Sequence, residues 1–253
     1  MSDNTTRFSD RVEDYIKYRP HYPEVILSWL EANYGFSASW EVADIGSGTG
    51  ISTELFLRHG NRVFAVEPNT EMREAAERLL GGYGGKFVSV DGTAEATGLA
   101  ADSVQLIVAG QAFHWFDAAK SRAEFLRILR PKGVVALIWN ERLVDSVFEK
   151  EYDALILEYG NDYKTVDHRN IDNVKIGGFF APASHVLKQF PNEQWFDFEG
   201  LKGRLLSSSY MPKSGSGYVP MLRDLQQLFQ RHQQGGRVRV GYDTKIYSGV
   251  LKP

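Results

Sequence analysis

Three glycines spaced two apart separate an apolar run from a helical pattern near the start of the chain. The apolar run is 42–45, the glycines are Gly46, Gly48 and Gly50, and the helical spacing begins at Ile51. Glycine permits positive φ and lets a ligand approach bare peptide, and the free N–H groups of a helix N-terminus favour electron-rich groups. The spacing therefore predicts a strand, a ligand-binding turn and a helix of a doubly wound α/β sheet.

A carboxylate follows this turn at the separation that nucleotide-binding sheets use. Residues 62–66 indicate a second strand, and Glu67 stands at its end. A carboxylate about 20 residues after such a turn can accept hydrogen bonds from both ribose hydroxyls of an adenosine ligand. The alternative is a surface acid that caps the helix beginning near Asn69. The turn and the acid together favour ribose binding.

The turn departs from the dinucleotide fingerprint G-x-G-x-x-G/A, because Ile51 stands where that pattern requires Gly or Ala. This departure disfavours a bound pyrophosphate. The segment 44–50 instead resembles the D-x-G-x-G-x-G turn of the class I S-adenosylmethionine-dependent methyltransferases. More narrowly, segments 15–23, 113–117 and 129–133 resemble the branch that includes trans-aconitate methyltransferase-like enzymes and type 11 methyltransferase domains. These motifs are specific to fold and cofactor, and much less to substrate.

Composition argues against several other classes of function. The 253 residues carry a net charge of −3 and no long basic run, which disfavours nucleic acid as the main partner. Cysteine is absent, so disulfides and thiolate metal sites are excluded, and we expect no metal. The N-terminus lacks a signal-peptide core, and no apolar run is long enough to span a bilayer. We expect a cytoplasmic protein with a small-molecule substrate and no membrane partner; the oligomeric state does not follow from the sequence.

Strands and helices alternate through the first part of the chain. The strands are predicted at 42–45, 63–66, 86–90, 104–109 and 134–139, and the helices between them at 50–59, 69–80 and 117–129. Such alternation predicts right-handed βαβ units and a Rossmann-like, mostly parallel sheet. In that architecture the ligand lies at the carboxyl ends of the strands.

The remaining segments complete a seven-stranded sheet in one continuous domain. Residues 1–40 are predicted to form N-terminal cap helices, 41–142 the cofactor-binding core, and 143–253 the rest of the sheet. In that last part we predict a helix at 144–159, strands at 185–190 and 194–198 around Pro191, and helices near 201–206 and 221–229. A period-two strand covers 238–250. The resemblance implies that this last strand is antiparallel and that residues 199–234 are a helical substrate cap.

The candidate cofactor site combines the strand ends with the N-terminal segment. The resemblance implies that this segment covers the cleft and that Arg19 pairs with the methionine carboxylate; a purely structural arginine is the alternative. It also implies that the adenine ring lies near Thr93 and Ala94, although Asp91-Gly92 is also a common turn. The candidate residues are Tyr15, Arg19, Asp44, Gly46, Ser47, Gly48, Gly50, Glu67, Pro68, Met72, Thr93, Ala94, Gly110 and Gln111.

An aromatic segment follows the fourth predicted strand. Aromatic rings there can contact a cationic sulfonium and exclude water, or they can be core residues. We assign Phe116 to the core, and His114 and Trp115 to the site. His114 can serve as general base if the acceptor is a hydroxyl. A carboxylate acceptor needs no base.

The candidate substrate residues are Trp115, Asn140, Arg142, Arg204 and Tyr210. Arg142 and Arg204 can bind a carboxylate through a fork of hydrogen bonds, with residues 207–210 lining the same pocket. Surface arginines and a capped helix end are the alternative. The resemblance favours methyl transfer from S-adenosylmethionine to a small acid, at a carboxylate or hydroxyl oxygen. The rival functions are a nicotinamide-dependent oxidoreductase and a non-catalytic cofactor-binding protein.

Overall fold

The computed structural model describes residues 16–160, 173–208 and 210–252, and its centre is a seven-stranded sheet. The strands are β1 (Glu41–Ile45), β2 (Arg62–Val66), β3 (Phe87–Val90), β4 (Val104–Gly110), β5 (Leu129–Arg142), β6 (Val186–Phe196) and β7 (Val238–Val250). The helices are α1 (Val25–Tyr34), α2 (Ile51–His59), α3 (Thr70–Leu80), α4 (Ala118–Ile128), α5 (Val147–Tyr159), α6 (Asn173–Phe180), α7 (Phe198–Leu206) and α8 (Tyr218–His232).

The order of the strands is β3-β2-β1-β4-β5-β7-β6. Strands β1 to β5 pair in parallel, and β7 runs antiparallel to both of its neighbours. This confirms the Rossmann-like sheet with an antiparallel last strand. It also brings the carboxyl ends of β1, β2, β3 and β4 to one edge.

Alternating residues of the central strands enter two separate apolar layers. On one face of the sheet, Ala43 and Ile107 pack with residues of α4 and α6. On the other face, Val42 and Leu106 pack with residues of α1 and α2. Because both faces are covered, most residues of these strands are apolar. The helix starts match the sequence, since Asn69 accepts a hydrogen bond from the Met72 amide at the start of α3.

Two strands are longer in the structure than the sequence predicts. Pro191 was expected to separate two strands, but β6 runs through it for 11 residues. The proline is tolerated because β6 is an edge strand that pairs only with β7. The fifth strand is predicted at 134–139, but β5 begins at Leu129 and is 14 residues long. It includes Lys132, at φ 63°, in the segment where the pairing with β4 is irregular.

Helix α6 was not predicted from the sequence. Its eight residues include Gly177 and Gly178, which are poor helix formers. Tertiary contacts hold it, because the Arg122 guanidinium donates to the carbonyls of Phe179 and Ala181. Of the predicted cap helices at 1–40, residues 1–15 lie outside the described residues, residues 16–18 are helical, and α1 covers Val25–Tyr34.

Helices α7 and α8 lie between β6 and β7 in sequence and pack with α5 in a third apolar cluster. A role for them as a substrate cap stays a prediction. Across the described ranges, none of the helices is both long and apolar enough to cross a membrane.

Glu149 joins α5 to the end of the sheet. Its buried carboxylate accepts hydrogen bonds from the amides of Asp145, Ser146 and Gly241, at 3.1, 2.9 and 3.1 Å. Burial raises the pKa of Glu149. The hydrogen bonds from these amides and from the Ser146 hydroxyl lower the pKa by a larger amount, so the net shift is downward from 4.5. The ionised side chain therefore stabilises the fold above pH 4.5, and this contribution is lost as the pH falls through the lowered value.

We predict that E149Q lowers the free energy of unfolding at pH 7 by about 1–2 kcal/mol, because charge-assisted hydrogen bonds are lost. The difference in the free energy of unfolding between E149Q and the wild type should become smaller as the pH falls below 4.5, the ordinary pKa of a glutamate. Urea titrations at several pH values measure it, with the exposed Glu158 changed to Gln as the control. A difference in the free energy of unfolding that does not depend on pH would contradict this account of Glu149.

Candidate functional site

A cavity of about 270 Å³ opens at the carboxyl ends of β1, β2, β3 and β4. Its volume is close to the lower end of the range for small-molecule sites, roughly 300 Å³. The predicted residues that line it are Gly46, Gly48, Glu67, Pro68, Met72, Thr93, Ala94, Gly110, Gln111 and Trp115. Sequence reasoning did not assign Asn69, Glu95, Ala112 or Phe116 to it, although they line it too. Phe116 was placed in the core, and it contacts both the core and the cavity.

The three glycines of the turn all have positive φ, at 68°, 57° and 90°. A Cβ on Gly46 would lie 2.7 Å from Ala112 Cβ, and one on Gly50 would lie 2.5 Å from a Leu80 methyl carbon. At Gly48 the nearest atom would be Met72 Sδ, at 3.9 Å. Gly46 and Gly50 are therefore needed for packing, whereas Gly48 presents bare peptide to the cavity. Gly50 is not among the lining residues.

Glu67 connects the turn to the end of β2. Its Oε2 accepts the Gly48 amide at 2.8 Å and its Oε1 accepts the Asn69 amide at 2.9 Å. Only 9% of the residue is exposed, and burial raises its pKa, an effect that these two hydrogen bonds partly offset. Each carboxylate oxygen can accept a further hydrogen bond. The geometry thus allows Glu67 to hold the turn and to receive ligand hydroxyls.

Asp44 lies behind the turn rather than in the cavity. Its Oδ2 accepts hydrogen bonds from the hydroxyls of Ser52 and Thr53, at 2.7 and 2.6 Å, which ties β1 to α2. Complete burial raises its pKa to about 6, against the effect of those bonds. Asp44 is not among the lining residues, so its predicted contact with a ligand stays a prediction.

Several buried polar atoms around the turn have no hydrogen-bond partner within the described residues. They are Asp44 Oδ1, Ser47 Oγ, Thr49 Oγ1 and Gln111 Oε1. A buried polar atom without a partner costs about 1–3 kcal/mol. Of these four residues, Gln111 lines the cavity, where its free oxygen is available to a polar ligand. Ser47 is buried and, unlike Gln111, does not line the cavity.

Aromatic residues form the wall of the cavity beyond β4. A 3₁₀ turn, Phe113–Trp115, carries Trp115, which is 38% exposed and lines the cavity. Phe113 is buried, with its ring 4.9 Å from that of Phe179. His114 does not line the cavity, and desolvation, followed by the charge of Lys175, lowers its pKa to about 4. Because His114 lies outside the cavity lining, its role as a general base stays a prediction.

The predicted substrate residue Asn140 holds the strap, which we define as residues 18–22. Its Nδ2 donates to the carbonyls of Pro20 and His21, at 3.3 and 3.4 Å. Its Oδ1 accepts hydrogen bonds from Thr244 and Asn192. Because these bonds engage both ends of the amide, the side chain contacts protein rather than facing the cavity.

The strap also contacts α7. The Arg19 guanidinium donates to the Ser207 carbonyl at 3.2 Å, and the Tyr18 ring packs against Gly203. Arg19 is buried and does not line the cavity, so its predicted pairing with a ligand carboxylate stays a prediction. Tyr15 and Ser209 lie outside the described residues.

The two predicted substrate arginines have different surroundings. Arg142 forms a 2.5 Å ion pair with Asp153, so a substrate would have to compete with a carboxylate of the protein. Arg204 is 7% exposed and donates to the Tyr242 hydroxyl and to Ser208 Oγ, at 3.1 and 3.3 Å.

Arg204, Tyr152, Tyr210 and Tyr242 form a buried arginine–tyrosine cluster. Burial lowers the pKa of Arg204, but the tyrosines raise it above its usual value, so the guanidinium stays charged. In the part of the chain that the structure describes, Arg204 pairs with no carboxylate. Within the same part, no group of three or more His, Cys, Asp or Glu side chains could hold a metal ion.

Comparisons with known proteins are consistent with this geometry. The family model described as a methyltransferase domain matches residues 43–137. An uncharacterized methyltransferase of Mycobacterium tuberculosis is 36% identical over 140 residues, which cover 55% of this chain and 54% of that protein. The chain thus spans about half the length of such relatives. An uncharacterized methyltransferase-like protein of Schizosaccharomyces pombe is 32% identical over 254 residues, covering 97% of this chain and 96% of its own.

Solved structures share the fold. A putative type II methyltransferase from Anaeromyxobacter dehalogenans has a TM-score of 0.70 at 21% identity, covering 93% of this chain and 99% of its own. A phosphoethanolamine N-methyltransferase from Haemonchus contortus, in complex with S-adenosyl-L-methionine, has a TM-score of 0.59 at 15% identity. That match covers 99% of this chain and 59% of the Haemonchus chain.

We predict that G48A weakens binding of S-adenosylhomocysteine at least tenfold, because the added methyl group projects into the cavity. The free energy of unfolding should fall by only about 1–2 kcal/mol, as is usual when alanine adopts a positive φ. G46A should destabilise the fold more than G48A does, since its methyl group would meet Ala112 Cβ. Calorimetric titration and urea unfolding measure the two effects. Wild-type affinity in G48A would refute the assignment of the turn.

Proposed function

The chain belongs to the class I S-adenosylmethionine-dependent methyltransferases, and from that premise we propose that it methylates a small acidic molecule at a carboxylate or hydroxyl oxygen. The cavity at the strand ends is the proposed cofactor site. The arginine–tyrosine cluster is proposed to bind the acid. The observation that carries the choice of acceptor is the buried Arg204, which has no carboxylate partner within the described residues.

The residues around the cavity fit S-adenosylmethionine. Gly48 offers bare peptide, and Glu67 retains lone pairs for ribose hydroxyls. The unpartnered oxygens of Ser47 and Gln111 add polar groups on the same edge of the sheet. Together these features support an adenosyl group held between the ends of β1 and β2.

When bound, S-adenosylmethionine supplies a methyl group that its positively charged sulfur already activates. The protein therefore has to position the acceptor and exclude water. Well-oriented approximation of two reactants can contribute up to ~7–11 kcal/mol. Trp115 and Phe116 provide an apolar wall suited to a cationic ligand. A carboxylate acceptor needs no general base, and His114 does not line the cavity.

Arg204 supports an acidic acceptor on energetic grounds. A buried charge is unfavourable unless an opposite charge or several hydrogen bonds compensate it. Arg204 has hydroxyl partners from Tyr242 and Ser208, and a ligand carboxylate would add the missing opposite charge. The guanidinium can receive such a group with two parallel hydrogen bonds.

The strap links the cluster to the cavity. Tyr242 donates to Gln194, whose amide donates to the Tyr18 carbonyl. At the other end of the strap, Asn140 holds the carbonyl of Pro20, and the Asn140 carbonyl accepts the side chain of Gln111 in the cavity wall. These contacts support a combined site with the strap between cofactor and acceptor.

For the cofactor, we predict that E67A weakens S-adenosylhomocysteine binding by about tenfold to 100-fold, since losing the partner of buried hydroxyls costs ~1–3 kcal/mol. Isothermal titration calorimetry measures the effect. E71A, in the exposed first turn of α3, is the control and should bind normally. An unchanged affinity of E67A for S-adenosylhomocysteine would indicate that Glu67 has a purely structural role.

For the acceptor, we predict that R204M reduces kcat/KM for small carboxylic acids by about tenfold to 100-fold, because charge-assisted hydrogen bonds worth roughly 1.5–3 kcal/mol are lost. Methionine fits an apolar environment, so the fold and the affinity for S-adenosylhomocysteine should be kept. R223M, on the exposed face of α8, is the matched control.

The assay measures methyl transfer to a panel of small acids and to their amides. The proposal expects the wild type to prefer the acids and R204M to lose that preference. Equal turnover of acids by R204M and wild type would refute the role of Arg204. Methylation of the amides alone would refute an acidic acceptor.

A further inference from the structure

The 3₁₀ turn Phe113–Trp115 has few hydrogen bonds of its own. Within the backbone, the Trp115 amide donates to Ala112 at 2.9 Å and the Phe116 amide donates to Phe113 at 3.1 Å. The turn nevertheless carries Trp115, and Phe116 follows it directly; both line the cavity. Their orientation therefore depends on contacts from outside the turn.

Lys175, from α6, supplies such a contact. Its Nζ donates to the Phe116 carbonyl at 3.0 Å and to the Phe113 carbonyl at 3.4 Å. The same ammonium lies 5.1 Å from the centroid of the Phe113 ring. One side chain thus binds the carbonyls at both ends of the turn. Its charge also acts on His114, whose pKa it lowers in addition to desolvation.

Helix α6 is itself fixed to the rest of the protein. Arg122 of α4 donates to the carbonyls of Phe179 and Ala181, both at 2.8 Å. The Tyr247 hydroxyl of β7 donates to Asn173 at 3.1 Å. The Phe179 ring lies 4.9 Å from that of Phe113, centroid to centroid. Lys175 therefore extends from an anchored helix, and it can hold the turn in place.

We propose that Lys175 is a positioning residue for the cofactor cavity, which fixes Trp115 and Phe116 through the carbonyls of Phe113 and Phe116. Lys175 does not line the cavity, so its proposed effect on the cavity is transmitted by the turn. The inference rests on the proposed function insofar as the cavity is taken to bind the cofactor. Without the ammonium, these carbonyls lose a charged donor and the turn can adopt other arrangements.

The test compares K175M, K175Q and K175R with the wild type and with K150M, which removes an exposed lysine from α5. Each protein is labelled with 5-fluorotryptophan, and the Trp115 resonance is identified by its loss in W115F. Fluorine NMR of the ligand-free protein then reports on the orientation of Trp115. Calorimetric titration with S-adenosylhomocysteine reports on the cavity.

We expect K175M to shift or broaden the Trp115 resonance and to weaken S-adenosylhomocysteine binding about tenfold, as expected for losing a hydrogen bond to a charged group. K175Q should change both quantities in the same direction, which keeps the test decisive if K175M does not fold. K175R, which keeps a charged donor, should restore both, and K150M should change neither.

An unmoved Trp115 resonance in the folded K175M or K175Q protein would overturn the positioning role. So would wild-type affinity for S-adenosylhomocysteine in those variants. If the wild type itself does not bind S-adenosylhomocysteine, the proposed function fails. The fluorine spectra would still decide whether Lys175 orients Trp115, because they need no ligand.

Discussion

The hydrogen bond between the Gly48 amide and the Glu67 carboxylate is the interaction on which the rest of the site depends. It joins the turn after β1 to the end of β2 at a distance of 2.8 Å. The second oxygen of Glu67 accepts the Asn69 amide, so the same carboxylate also fixes the start of α3. Parallel pairing of β1 and β2 makes this contact possible, because it brings the two strand ends to one edge of the sheet.

The cavity has walls of two kinds around this contact. On one side, backbone and carboxylate atoms come from the glycine turn and from Glu67. On the other, Trp115 and Phe116 come from the turn after β4. The first wall suits a sugar with hydroxyl groups, and the second suits a cationic, partly apolar group. Both properties agree with the cofactor of the methyltransferase family.

The placement of residues that depends on local spacing could be predicted from the sequence. The glycine turn and Glu67 are close in the chain, and the parallel sheet brings them together wherever that spacing occurs. Asn140 and Arg142 could not be assigned in the same way. They lie in the last three residues of β5, near its carboxyl end, where site residues are common, but their partners are set by tertiary structure. Asn140 bonds to carbonyls about 120 residues earlier, and Arg142 is paired with Asp153. Helix α6 was missed because its glycines disfavour a helix that Arg122 and Tyr247 hold in place.

The most direct test of the central claim is a crystal structure with S-adenosylhomocysteine bound. The account predicts that the ribose hydroxyls lie within about 3 Å of the Glu67 carboxylate oxygens and that the ligand contacts the backbone at Gly48. It also predicts that Trp115 and Phe116 lie beside the sulfur-bearing part of the ligand. A ligand bound elsewhere, or ribose hydroxyls that do not contact Glu67, would contradict it.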